Sequence, residues 1–201
     1  MKQHLKKWEI SLLFALCITL STGLWARAEQ RKLSNELVRL HVVAASNSDD
    51  DQAVKLRVRD GILAYLSPKL EGVSDVREAQ KIIHAELPAL CSDARDTLHG
   101  FGKYYDVSAS ICREKFPTRE YKNFALPAGE YLSLRVTLGG GFGHNWWCVV
   151  FPPLCMTAAQ DAEAFSGISE SSAKLIGTSD GEYRLKFHII ELFEQIRGYM
   201  A

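Results

Sequence analysis

Residues 143–155 read GHNWWCVVFPPLC, which gathers a histidine, two tryptophans, two cysteines and a diproline. His144 and Cys148 are the pair in this stretch that could act as base and nucleophile. The segment around them, Asn145 to Phe151, is apolar, aromatic and β-branched and reads as a strand. Four residues along a strand separate the two side chains by roughly 13 Å, too far for a proton transfer. Cys148 and Cys155 have a second use, a disulfide closed by a fold-back at Pro152-Pro153. Trp146 and Trp147 fall on opposite faces of the strand. One can fill a core while its neighbour meets a second layer or a partner. His144, Asn145, Trp146 and Trp147 are therefore the candidate partner contacts.

The other cysteines bound the choices. Cys17 lies in an apolar N-terminal stretch. Cys91, Cys112, Cys148 and Cys155 follow, an even set that allows three pairings, of which Cys148 with Cys155 spans the shortest loop. Zinc is disfavoured, since no CxxC pair and no two histidines at ligand spacing occur. Gly139-Gly140-Gly141-Phe142-Gly143 precedes a strand rather than a helix, so it reads as a hairpin loop and not a phosphate loop. Asp49-Asp50-Asp51 lacks the glycine and the distal glutamate of a calcium loop. No catalytic residue, cofactor site or metal site is expected.

The chain begins with a basic stretch (Lys2, Lys6, Lys7), then an apolar run from Ile10 to Leu24, then Ala26-Arg27-Ala28. Basic, apolar and small residues in that order make a signal peptide, with cleavage expected after Ala28. A retained membrane anchor is the alternative. In either case the N-terminal lysines stay cytoplasmic and the rest is exported. Four basic and one acidic side chain lie in residues 1–28; the remainder carries a net charge of −3. That surface does not suit nucleic acid, which selects basic proteins.

Residues 29–201 are long enough for one exported domain with its own core. Glu36–Ala45 reads as a strand, with Val38, Leu40 and Val42 on one face and Leu37, Arg39, His41 and Val43 on the other. Arg39 and His41 are expected near the Asp49–Asp51 cluster. Ser48 and Asp51 stand at helix-capping spacing, and a helix is expected from Asp50 to Leu66, ended by Ser67-Pro68. A second helix runs from Ser74 to Glu86 and a third from Pro88 to Leu98. Tyr104–Glu114 and Tyr131–Leu138 alternate as strands, and Tyr121–Leu126 is short and extended. Residues 156–180 are small and polar and read as loop. Tyr183–His188 is a last strand candidate, and Ile189–Tyr199 reads as a C-terminal helix. The order predicts an α+β fold: a mostly antiparallel sheet with the N-terminal helices and the C-terminal helix on one face.

Three blocks together resemble one family. Leu37–Ala44 with Asp51–Asp60, then Phe116-Pro117-Thr118 with Leu126–Tyr131, then Gly143–Cys148 through Phe151–Cys155 resemble the stage II sporulation protein R family. The resemblance implies an exported signal of endospore formation, not an enzyme. Such a protein is made in the forespore and secreted into the space between the forespore and mother-cell membranes. Its implied partner is the membrane-embedded mother-cell protease that processes the precursor of sigma factor E, and its membrane contact is through the N-terminal leader alone. The rival expectation is an exported hydrolase or thiol enzyme using Cys148 and His144.

Overall fold

The computed structural model describes residues 6–121, 125–153 and Ser172. Cys155, residues 156–171, the candidate strand at 183–188 and the candidate C-terminal helix lie outside the described residues.

Helix α1 (Lys7–Ser34) is unbroken for 28 residues. It is long and apolar enough to cross a membrane. Trp8, Phe14, Leu20, Leu24 and Trp25 are all exposed on it. From Trp8 to Trp25 the helix rises about 26 Å, close to the thickness of a hydrocarbon core. The helix does not stop at Ala28. It continues until Gln30, Leu33 and Ser34 are buried in the domain.

Strand β1 (Val38–Val43) is buried on both faces. Helix α2 (Asp49–Leu70) starts where the Ser48 hydroxyl accepts the Asp51 N–H. Its stripe of Val54, Val58, Ile62 and Leu66 packs on the sheet. Helix α3 (Val76–Gly100) starts where the Asp75 carboxylate accepts the Arg77 N–H. Two prolines expected to end helices do not. Pro68 sits inside the last turn of α2, and buried Leu70 holds that turn in place. Pro88 sits inside α3, which joins the expected second and third helices into one. Pro88 and His84, whose carbonyl loses its partner, are both on the exposed side where water can bond to it. Ala79, Ile83, Leu90, Ala94 and Leu98 keep one continuous buried stripe across the break.

Strands β2 (Val107–Phe116), β3 (Arg119–Glu120), β4 (Ala125–Leu126), β5 (Gly129–Leu138) and β6 (Asn145–Phe151) follow. Four form a sheet of order β2-β5-β1-β6, and β3 pairs with β4. β2 with β5 and β1 with β6 are antiparallel, while β1 with β5 is parallel. The fold is α+β with a mostly antiparallel sheet, as expected, and the β1–β5 pair is its parallel member. The alternation also holds: Val38, Leu40, Val42, Leu134, Val136, Leu138, Cys148 and Val150 face α2 and α3 in one core. The opposite face carries a second, smaller core of Leu33, Leu37, Phe116, Leu126, Tyr131 and Val149, where α1 ends.

Candidate functional site

The GHNWW block is tied down residue by residue. Gly143 donates its N–H to the Ala44 carbonyl. His144 donates its backbone N–H to Asn47 Oδ1 at 2.7 Å, and its carbonyl accepts Lys55 Nζ at 3.0 Å. Lys55 also donates to Gln52 Oε1 and is 4% exposed. Burial first, and then the charge of Arg59, push its ammonium below the ordinary lysine range. The sequence pattern places Lys55 off the apolar stripe; the structure buries it, because α2 lies against the start of β6.

Next along the block, Asn145 Oδ1 lies 3.0 Å from His41 Nε2. The other ring nitrogen, Nδ1, is 3.1 Å from Glu114 Oε2. Arg135 donates to Glu114 Oε1 at 2.9 Å. His41 is therefore partnered with Glu114, reached across β5, and not with the Asp49–Asp51 cluster. Burial works to raise the Glu114 carboxyl, but the Ser133 hydroxyl, His41 and Arg135 around it prevail and hold it below the ordinary carboxylate range. The Ser133 contact falls short of hydrogen-bond geometry, so His41 and Arg135 carry most of that effect.

Each tryptophan is half-buried and capped by an arginine. Trp146 packs against the helix-side core with Arg59 over its ring at 4.4 Å. Trp147 stacks on His41, centroids 5.7 Å apart, and Arg119 also lies over its ring at 4.1 Å. Neither ring is a bare surface anchor. On the Trp147 face Arg39 is fully buried, with Phe116 and Tyr131 at 4.1 and 5.0 Å from its guanidinium carbon. It donates to the Tyr121 hydroxyl, which in turn donates to the Trp147 carbonyl.

Asp51 serves a second network. The Ser46 hydroxyl holds its carboxyl below the ordinary range; burial opposes, and Lys103 and Tyr105 add to the effect. Burial and then the Asp51 charge push the Tyr105 phenol up to about 12, so it stays a donor.

Cys148 is 6% exposed, faces the helix-side core opposite Leu40, and is not a free thiol. Its suggested bonding partner, Cys155, lies outside the described residues. Cys17, Cys91 and Cys112 are free. Among the described residues no cluster of metal-binding side chains occurs. Part-buried hydrogen bonds and cation–π contacts fix one backbone segment here. Sequence reading missed Glu114, Arg135 and Lys55. The even-numbered parity of Glu114, opposite to Val107, Ala109 and Ile111, was the available signal for the first.

Residues 34–161 match the family described as stage II sporulation protein R. The chain is 36% identical over 132 residues to "Stage II sporulation protein R" of Bacillus subtilis (strain 168). That match covers 66% of this chain and 59% of the relative, so less than two thirds of the relative's length is spanned. No solved structure matches.

Proposed function

The chain belongs to the stage II sporulation protein R family, and on that premise we propose that it is an exported signal which activates the membrane-embedded mother-cell protease that processes the precursor of sigma factor E. A role in sporulation follows from the family. Secretion into the space between forespore and mother cell, the protease partner and the absence of catalysis are the finer parts of this reading.

The observation that carries it is the use to which the family-like blocks are put. His41 is spent on Glu114 and Asn145, Arg39 on the Tyr121 hydroxyl, and His144 is held through its backbone. A nucleophile needs a base within about 3 Å and an open approach; Cys148 is buried in the core. This supports a scaffold that presents a surface over a hydrolase or thiol enzyme using Cys148 and His144. Helix α1, apolar and exposed along most of its length, supports delivery to or through a membrane.

The test is co-expression of the full chain with the protease and the sigma-factor precursor in a non-sporulating host. Shortened precursor is expected only when all three are present. Processing that is unchanged by this chain would refute the reading.

A further inference from the structure

The geometry points to the Leu138 end of the sheet as a docking surface for a basic, apolar segment of a partner protein on the exported side, an inference that rests on the signalling role proposed above. Outside α1, the large exposed hydrophobic side chains among the described residues are Phe101, Tyr104 and Phe142, at 51, 80 and 85% exposure. They gather at one pole. Gly139 donates its N–H to the Asp106 carbonyl at 2.7 Å, which ties the Phe142 loop to the segment carrying Tyr104. Tyr104 packs on His99, in the last turn of α3 just before Phe101.

The exposure of Phe142 is not slack. Its own N–H is bonded to the Ala45 carbonyl and that of Gly143 to the Ala44 carbonyl. Gly139 and Gly141 take positive φ values of 56° and 66°, which a side chain would resist. A pinned loop that holds a phenylalanine in water gives up little conformational freedom when the ring is covered. Three such rings have the character of an interface centre.

The charge around them selects the partner. Asp49 and Asp50 open α2 beside this pole, and Asp106 is exposed within it. Of the cations near this pole, Lys103 is already paired with Asp51 at 3.3 Å and lies 3.9 Å from Asp50, and Arg95, exposed one turn before His99, stands beside Asp96. An aromatic patch with an acidic rim attracts lysine and arginine, which can also sit over the rings. It repels an anionic lipid surface. The pole is also remote from the leader. Gln30 of α1 packs against Gly129, at the other end of β5, about 30 Å away along a ten-residue strand. The surface therefore faces away from the membrane that α1 would enter.

The experiment uses the full chain in its sporulating host. The double variant Tyr104→Ser/Phe142→Ser should lower the yield of heat-resistant spores at least thirtyfold while accumulating and melting like the parent protein. Lys81→Ser, on the exposed side of α3, should not change the yield. Asp50→Lys/Asp106→Lys should lower it at least fivefold. A normal yield from the double variant, or a higher yield after charge reversal, overturns the proposal. Purified protease in nanodiscs and vesicles containing phosphatidylglycerol are the two binding probes. The double variant should lose affinity for the protease about thirtyfold and bind vesicles as the parent does; weakened vesicle binding with intact protease binding would identify a lipid-facing surface and overturn it. If the parent protein fails to bind the protease while the double variant still loses spore yield, the surface stands and the proposed partner falls. If parent and double variant bind the protease equally, the surface falls and the proposed function stands.

Discussion

His41 lies stacked on Trp147, planes 28° from parallel, while its two ring nitrogens meet Glu114 and Asn145 on opposite sides. One imidazole thus joins β1, β2 and β6. Removing it takes one of two partners from the largely buried Glu114 carboxylate, at a cost on the order of 1–3 kcal/mol, and also loses the stacking on Trp147. His41→Ala should lower unfolding free energy by about 2–4 kcal/mol in urea titration. A change below 0.5 kcal/mol would show that the network is incidental.

Low pH should act through the same network. Glu114 and Asp51 both titrate below the ordinary carboxylate range in the folded chain. A depressed folded pKa contributes stability above the unfolded pKa, and that contribution is lost as pH falls through the folded value. The melting temperature should therefore drop on going from pH 6 to pH 3. Glu114→Gln and Asp51→Asn should each flatten that decline while lowering the value at pH 6. Equal slopes in parent and variants would refute the assignment.

The block residues should separate by which of their atoms are used. His144 is held through its backbone N–H and carbonyl, so His144→Ala should leave both bonds and alter spore yield less than about threefold. Asn145→Ala removes the contact to His41 and should cost about 1–2 kcal/mol of stability. Trp146→Ala, at a half-buried ring against the core, should cost about 2–4 kcal/mol. A folded His144→Ala protein that yields no spores would instead favour catalysis.

Thiol chemistry gives a further check. In exported protein, peptide mapping without reductant should recover Cys148 linked to Cys155, and alkylation should label Cys91 and Cys112. Burial, and then the nearby Glu114 charge, push the Cys112 thiol up, so Cys112 should react slowly at pH 8. Labelling of Cys148 and Cys155 together would exclude the bridge.

Pro88 offers a stabilising change. The missing N–H and the ring's conflict with the previous turn cost roughly 3 kcal/mol in a helix interior. Pro88→Ala at this exposed position should raise stability by about 1–3 kcal/mol, read as an upward shift in melting temperature. A lower melting temperature would mean that the proline's restriction of the unfolded chain outweighs the helical hydrogen bond it removes.

The core was legible because it is local. Alternation in Val38–Val43 and Leu132–Leu138 names the buried face, and the helix stripes name theirs. The strand order was not legible, since nothing in that alternation says that β1 lies parallel to β5. The His41 site joins residues 73 and 104 positions apart in sequence, and one-dimensional spacing carries no such pairing. Pro88 misled because its usual helix-ending effect was outweighed by the apolar stripe on both sides of it. The arginines that cover the tryptophans were not legible, because Arg59 and Arg119 come from distant segments.

The unbroken run of α1 into the buried Gln30, Leu33 and Ser34 means that the domain has no swivel. Whatever grips residues 8–25 sets the domain's compass bearing. A single residue inserted after Trp25 would turn everything beyond it by about 100° and lift it 1.5 Å. Seven inserted residues would bring the bearing back to within about 20°, at a height about 10 Å greater. In a chain that keeps its leader, the helix would act as an indexing shaft, with distance and heading dialled apart from each other by the count of residues added.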